Sequence, residues 1–208
     1  DLPSPRKLTN TENYAVSTQI FDRNGKLLYE IFADENRTPV KLDSLPKHVY
    51  QASISIEDKN FYKHFGFDIT GIARAIKSNL TGGRVEGGST ITQQLVKNAL
   101  LTREKTIQRK IKEGVLAILT EMLYTKEEIL EMYLNYISYG GTSVGIEAAS
   151  NSYFDKNASQ LTLAEAALLA GLPQAPSRYS PFASDPVAAK NRQVEVLRRM
   201  VEDGYITQ

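Results

Sequence analysis

After residue 89, a threonine stands three times just ahead of an apolar run with a glutamine or glutamate three residues on. The pairs are Thr90 with Gln93 before Leu95, Thr125 with Glu128 before Ile129-Leu130, and Thr162 with Glu165 before Ala166-Ala167-Leu168-Leu169. Such a pair closes two free N–H groups at a helix start reciprocally, side chain to backbone in each direction, so it commits the downstream residues to helix. Gly171 and Pro173 stop the third helix, and Asp185-Pro186 opens another, with Val194, Leu197 and Met200 on one face. Between the first two pairs the stretch Thr106 to Tyr124 spaces Ile107, Ile111, Val115, Ile118 and Met122 as the apolar face of a further helix.

The N-terminal part is more varied. Residues 1–13 are polar and proline-containing and read as a disordered lead-in. Tyr14 to Phe32 alternates about Asp22-Arg23-Asn24-Gly25-Lys26, which predicts a β-hairpin whose Asn-Gly supplies positive φ. Pro46 opens a helix carrying Val49, Ala52 and Ile56 and ending at Glu57. Ile69, Ile72, Ala73, Ile76 and Leu80 predict a second helix, and the four glycines of Thr81 to Gly88 a mobile loop. The class is mainly α with a little β near the N-terminus.

Composition removes several kinds of chemistry. A formal net charge of +1 gives no field suited to nucleic acid, and zero cysteines exclude thiolate nucleophiles, thiolate metal sites and disulfides. With His48 and His64 as the only histidines, a histidine-rich metal centre is excluded as well. No window approaches the run of about 18 apolar residues needed to span a bilayer, and the start lacks the pattern of a signal peptide. Ser4-Pro5-Arg6-Lys7 matches a Ser-x-x-Lys pair, but no Lys-Thr-Gly stands downstream of it, so it is taken as chance.

The chemistry must therefore come from carboxylates, amides and cations. Glu57-Asp58 closes an apolar run, where partial burial and a neighbouring like charge raise a carboxyl pKa toward that of a useful general base. The same pair also suits a solvated helix end. Gly87-Gly88-Ser89-Thr90 leads into Gln93, Gln94, Lys97 and Asn98, a glycine-rich helix start able to meet an anion, or simply a loop and its cap. Arg103, Lys105, Arg109, Lys110 and Lys112 come next, with Glu113 three and four residues beyond Lys110 and Arg109. That spacing fits solvated ion pairs, or a carboxylate kept charged beside a phosphate-bearing group. Environment alone would then divide the roles, with Glu57 protonatable and Glu113 charged. His64, between Lys63 and Phe65, reads better as a hydrogen-bonded structural histidine than as a base.

Taken in order, the blocks Glu57-Asp58…Phe61…His64…Gly66, Gly87 to Asn98, Arg109-Lys110…Glu113, Ile129 to Asn135 and Leu161 to Pro176 resemble the peptidoglycan glycosyltransferases of family 51. These occur in class A penicillin-binding proteins and monofunctional transglycosylases, and the likeness runs from about Tyr14 to the C-terminus. It departs at Asp155, where members often have glycine.

The resemblance implies a glycosyltransferase domain over residues 14–208, with a lysozyme-like α-helical large lobe and a small, mobile, membrane-facing lobe within about 67–88. It implies polymerisation of lipid II, with inversion and loss of undecaprenyl pyrophosphate, onto a growing glycan strand at the outer face of a bacterial cytoplasmic membrane. A membrane anchor before the chain and a transpeptidase domain after it belong to the same expectation. By the resemblance Glu57 and Glu113 are catalytic, and Asp58, His64, Ser89, Thr90, Gln93, Gln94, Lys97, Asn98, Arg103, Arg109 and Lys110 bind substrate. No cofactor is demanded, although Glu113 is the place where a divalent cation such as Mg2+ would act. A lytic muramidase, which cleaves rather than makes the sugar linkage, and a non-catalytic cell-wall scaffold are the competing readings.

Overall fold

The computed structural model describes residues 2–9, 18–25, 27–31, 38–71, 88–102, 104 and 106–208. Its centre is helix α1, Lys47–Glu57, which begins after Pro46 and buries Val49, Ala52, Ile54 and Ile56 together with Ser53 and Ser55. A helix enclosed on so much of its circumference has to be surrounded by others. Helices α2 (Ile91–Leu100), α3 (Ile107–Leu123) and α4 (Lys126–Tyr136) form one group, in which α2 packs against both α3 and α4. A β pair, β3 (Ser138–Gly140) and β4 (Ser143–Val144), leads to α5 (Ile146–Phe154), α6 (Leu163–Gly171), the short α7 (Pro176–Tyr179) and α8 (Pro186–Glu202). Helices α1, α6 and α8 pack on one another through Ala52, Ile56, Ala167, Ala170, Val196 and Met200, where the three alanines let the backbones come close. The larger core joins Phe61, Ile91, Leu95, Leu130, Tyr133 and Tyr139.

The three capping boxes form as the sequence predicts, each with both reciprocal hydrogen bonds, at Thr90, Thr125 and Thr162. The N-terminal hairpin also forms. Strands Thr18–Phe21 (β1) and Leu27–Ile31 (β2) pair antiparallel, with a bulge between Ile20 and Phe21. In its turn Asp22 Oδ1 accepts the Asn24 N–H at 2.8 Å, and Gly25 supplies the positive φ of 78°.

Several expectations are corrected. The lead-in is not simply disordered, because Pro5–Thr9 forms a 3-10 helix that packs on α2 and α3 with Leu8 at 0% exposure. Burying one leucine stabilises by roughly 1.5–3 kcal/mol, which contributes to docking this short segment. The β3–β4 pair has no counterpart in the sequence reading, since strands of two and three residues leave no periodic signal. On α8 Val194 is exposed, and Ala189, Val196 and Met200 face inward.

The largest correction concerns α3. Its predicted apolar face looks outward, with Ile107 82% and Met122 68% exposed, while Glu113, Gly114, Leu116, Ala117, Thr120 and Glu121 are buried. Thr120 and Glu121 are satisfied inside by hydrogen bonds, which lets the polar face be the interior one. The predicted second helix is helical at 69–71, and its remainder, like most of the small lobe and of the glycine loop at 81–88, lies outside the described residues.

Two backbone positions fix local geometry. Gly66 has φ +80°, and a Cβ there would stand 3.2 Å from the backbone carbon of Ala117 on α3, so only glycine lets this loop lie against the helix. Asp155 caps α5 in the left-handed conformation, φ 53° and ψ 44°. That is the conformation glycine adopts most easily, as the resemblance leads one to expect at this position.

Candidate active site

Glu57 is the last residue of α1, where the chain turns away at Asp58 (φ −158°, ψ 70°). Its Oε2 accepts a hydrogen bond from Gln94 Nε2 at 2.6 Å, and its Oε1 is enclosed with no hydrogen-bond partner among the described residues. Burial raises the Glu57 pKa above the ordinary glutamate range; the Gln94 hydrogen bond and the charges of Arg192, Lys97 and Arg199 pull the other way without cancelling it. A carboxyl so placed suits general-base work.

Asp58 is turned to support instead. Its Oδ2 accepts the N–H of Ile91, at the first turn of α2, at 2.9 Å, and both its oxygens meet His64 Nε2 at 2.9 and 3.0 Å. This ties the end of α1 to the start of α2, the helix that carries Gln94. His64 is thus hydrogen-bonded through Nε2 to Asp58. Thr90 is committed too: its hydroxyl donates to Gly66 O at 2.8 Å and accepts from Gln93 N, while Gln93 Oε1 accepts from Thr90 N. Thr90 and Gln93 are buried, and their polar groups hold the helix start.

Glu113, 1% exposed, projects from the buried face of α3. Arg109 Nη1 donates to its Oε2 at 2.9 Å, and Lys110 Nζ donates to its Oε1. Lys110 also reaches Ser89 Oγ at 2.9 Å, so the loop before α2 is bound to the same cluster. Lys97 of α2 is coupled electrostatically to both carboxylates. Burial lowers its pKa most, Glu113 and Glu57 each raise it, and Arg109 and Lys110 lower it further, so one ammonium feels both acids and both cations. Gln94 and Lys97 are one turn apart on α2, which is how a single helix serves both ends of the site. Asn98 is exposed on α2, and Arg103 lies outside the described residues.

The structure thus brings together Glu57, Gln94, Lys97, Glu113, Arg109, Lys110 and Ser89. It adds residues that the sequence did not single out. Arg192 and Arg199 of α8 act electrostatically on Glu57, with Arg199 Nη1 donating to Ile56 O at 3.4 Å and Arg192 Nε donating to Gly171 O at 3.3 Å. Their distance along the chain left no local signal. A protein-held divalent cation does not suit this cluster, because both Glu113 oxygens already meet cations. Among the described residues there is no group of three His, Asp or Glu able to hold a metal.

This arrangement sets a protonatable carboxyl facing a cationic cluster across one helix, which is what joining a hydroxyl to a carbon bearing an anionic leaving group requires. The family model described as Transglycosylase matches residues 24–201. Penicillin-binding protein 1A of Aquifex aeolicus is 47% identical over 208 residues, covering 100% of this chain and 28% of the relative. Penicillin-binding protein 1F of Bacillus subtilis is 47% identical over 192 residues, 92% of this chain and 27% of that protein. The crystal structure of penicillin-binding protein 1A from Haemophilus influenzae superposes with a TM-score of 0.51 at 26% identity, covering 93% of this chain and 19% of that one. The chain spans less than a third of the length of these relatives.

Proposed function

Since the chain belongs to the transglycosylase family, which has a lysozyme-like, mainly α fold, we propose that it is a peptidoglycan glycosyltransferase unit that polymerises lipid II. Glu57 takes the proton from the 4-hydroxyl of the acceptor sugar as that oxygen attacks the donor's anomeric carbon from the face opposite the leaving group. The new C–O bond forms as the bond to pyrophosphate breaks, so the configuration inverts and undecaprenyl pyrophosphate departs with the electron pair. Lys97, Arg109 and Lys110 meet the departing charge, and in a partly dry cleft fixed cations stabilise it more than water does. Glu113 holds Arg109 and Lys110 in place. Gln94 orients Glu57, and Ser89 with Asn98 faces the sugar and phosphate oxygens; Arg103 is assigned to the leaving group by the sequence resemblance alone.

The observation that carries this reading is the opposed surroundings of the two carboxylates. Glu57 has an enclosed, unengaged oxygen and a raised pKa, whereas Glu113 is clamped by two cations, and Lys97 is coupled to both acids. A hydrolase of neutral glycosidic links has no use for that clamp.

The bacterial cell envelope, with this domain against the outer face of the cytoplasmic membrane and a transpeptidase domain in the longer protein, completes the proposal. The outward apolar stripe of α3 supports contact with a membrane surface, although no helix among the described residues is long and apolar enough to cross one. The test is gel analysis of products from labelled lipid II, beside incubation with isolated sacculi. Ladders of glycan strands are expected with the first and no released muropeptides with the second; the reverse outcome points to a muramidase.

A further inference from the structure

Around Glu57 three enclosed oxygens have no hydrogen-bond partner among the described residues: Glu57 Oε1, Tyr133 Oη and Tyr139 Oη. Tyr133 comes from α4 and Tyr139 from β3, and both rings are fully packed in the main core. Packing does not explain the hydroxyls, because phenylalanine fills the same space without a polar atom. A buried hydroxyl left without a hydrogen bond costs about 1–3 kcal/mol, so each of the two calls for a partner. The charge on Glu57 acts on both phenols and Tyr139 acts on Tyr133, which sets the three groups in one neighbourhood. One buried water needs two to four polar partners, and these atoms supply three.

We propose that Tyr133 and Tyr139 are positioning residues for Glu57, sharing one buried water with its Oε1 and donating through that water to the carboxylate. The proposal rests on the reading of Glu57 as the general base. Gln94 already holds Oε2. The tyrosines hold the other oxygen, so the carboxylate is fixed at both ends before substrate arrives. Burial keeps both phenols far above their ordinary range, so they stay neutral donors at every working pH.

Donors to the charged form of Glu57 lower its pKa, alongside Gln94 and Lys97 from α2 and Arg192 and Arg199 from α8, and against burial. Removing a hydroxyl therefore raises it. The test is the pH dependence of lipid II polymerisation by Tyr133→Phe, Tyr139→Phe and the double variant, with Glu57→Gln alongside. In each single variant the acidic limb moves up by about one pH unit, the size expected for one lost hydrogen bond to a charged group. The rate at high pH stays within a few-fold of the parent. In the double variant the limb moves little beyond the larger single shift, because the two hydroxyls act through one shared water. A purely structural role lowers the rate at all pH values and leaves the limb in place.

Limbs that superimpose on the parent, or that move down, overturn the proposal, and either single variant that folds is enough to decide. An inactive Glu57→Gln with unmoved tyrosine profiles overturns this inference alone. An active Glu57→Gln overturns the reading of Glu57 itself.

Discussion

Glu57 and Glu113 carry the same functional group, and what separates them is the company each keeps. Glu57 loses water at the end of α1 and gains a single amide donor, whereas Glu113 is matched by Arg109 and Lys110. The cost of Glu57's position can be read from stability. Its folded pKa lies above the ordinary value of 4.5, so between those two pH values the folded chain holds a proton that the unfolded chain has lost. Stability from this group is fully present below the unfolded pKa and is lost as pH rises through the folded one. Glu57→Gln is therefore predicted to be more stable than the parent at neutral pH, with the gap closing below about pH 4.5; thermal unfolding across pH checks it, and a gap that widens on acidification contradicts it. Glu57 was legible in the sequence because an apolar run stops at it. Arg192, Arg199 and Tyr139 were not, since each reaches the site from a remote part of the chain and no spacing rule links them to it.

Helix α2 delivers Gln94 and Lys97, and three contacts at its start hold it: the Thr90–Gln93 box, Thr90 to Gly66 O, and Asp58 to Ile91 N. Thr90→Ala is predicted to lower stability by about 0.5–2 kcal/mol, and Thr90→Ser, which keeps the hydroxyl, to restore most of it. Denaturant unfolding measures this, and an unchanged midpoint in Thr90→Ala would contradict the capping role. At the end of α5, Asp155→Val is predicted to cost about 1–2 kcal/mol because a β-branched residue resists the left-handed conformation, while Asp155→Gly stays near the parent; the same unfolding measurement separates the two. The capping boxes were legible because they are written within four residues. The direction of α3 was not: a stripe of Ile107, Ile111, Val115, Ile118 and Met122 reads as a core face by periodicity, and nothing local says that the carboxylate face turns inward instead.

Across the whole molecule, a charged cluster is built on the inner faces of α2 and α3 while the outer face of α3 presents large apolar side chains to solvent. Because that face is uncovered, replacing Ile111 and Met122 together by serine should change stability by no more than about 0.5 kcal/mol per residue, against roughly 2–5 for buried positions. Co-sedimentation with phospholipid vesicles should fall in the same variant. A large loss of stability, or undiminished vesicle binding, contradicts the membrane-facing assignment. The mainly α class and the order of the helices were legible from periodicity and caps, and so was the division of roles between Glu57 and the cation-bound Glu113; the link between them through Gln94 and Lys97 of α2 was not. That division of roles is tested most directly by polymerisation of lipid II with Glu57→Gln, in enzyme shown by thermal unfolding to be folded. A rate lower by about 10²–10⁴-fold is predicted for loss of the general base, and a rate within a few-fold of the parent would contradict the account.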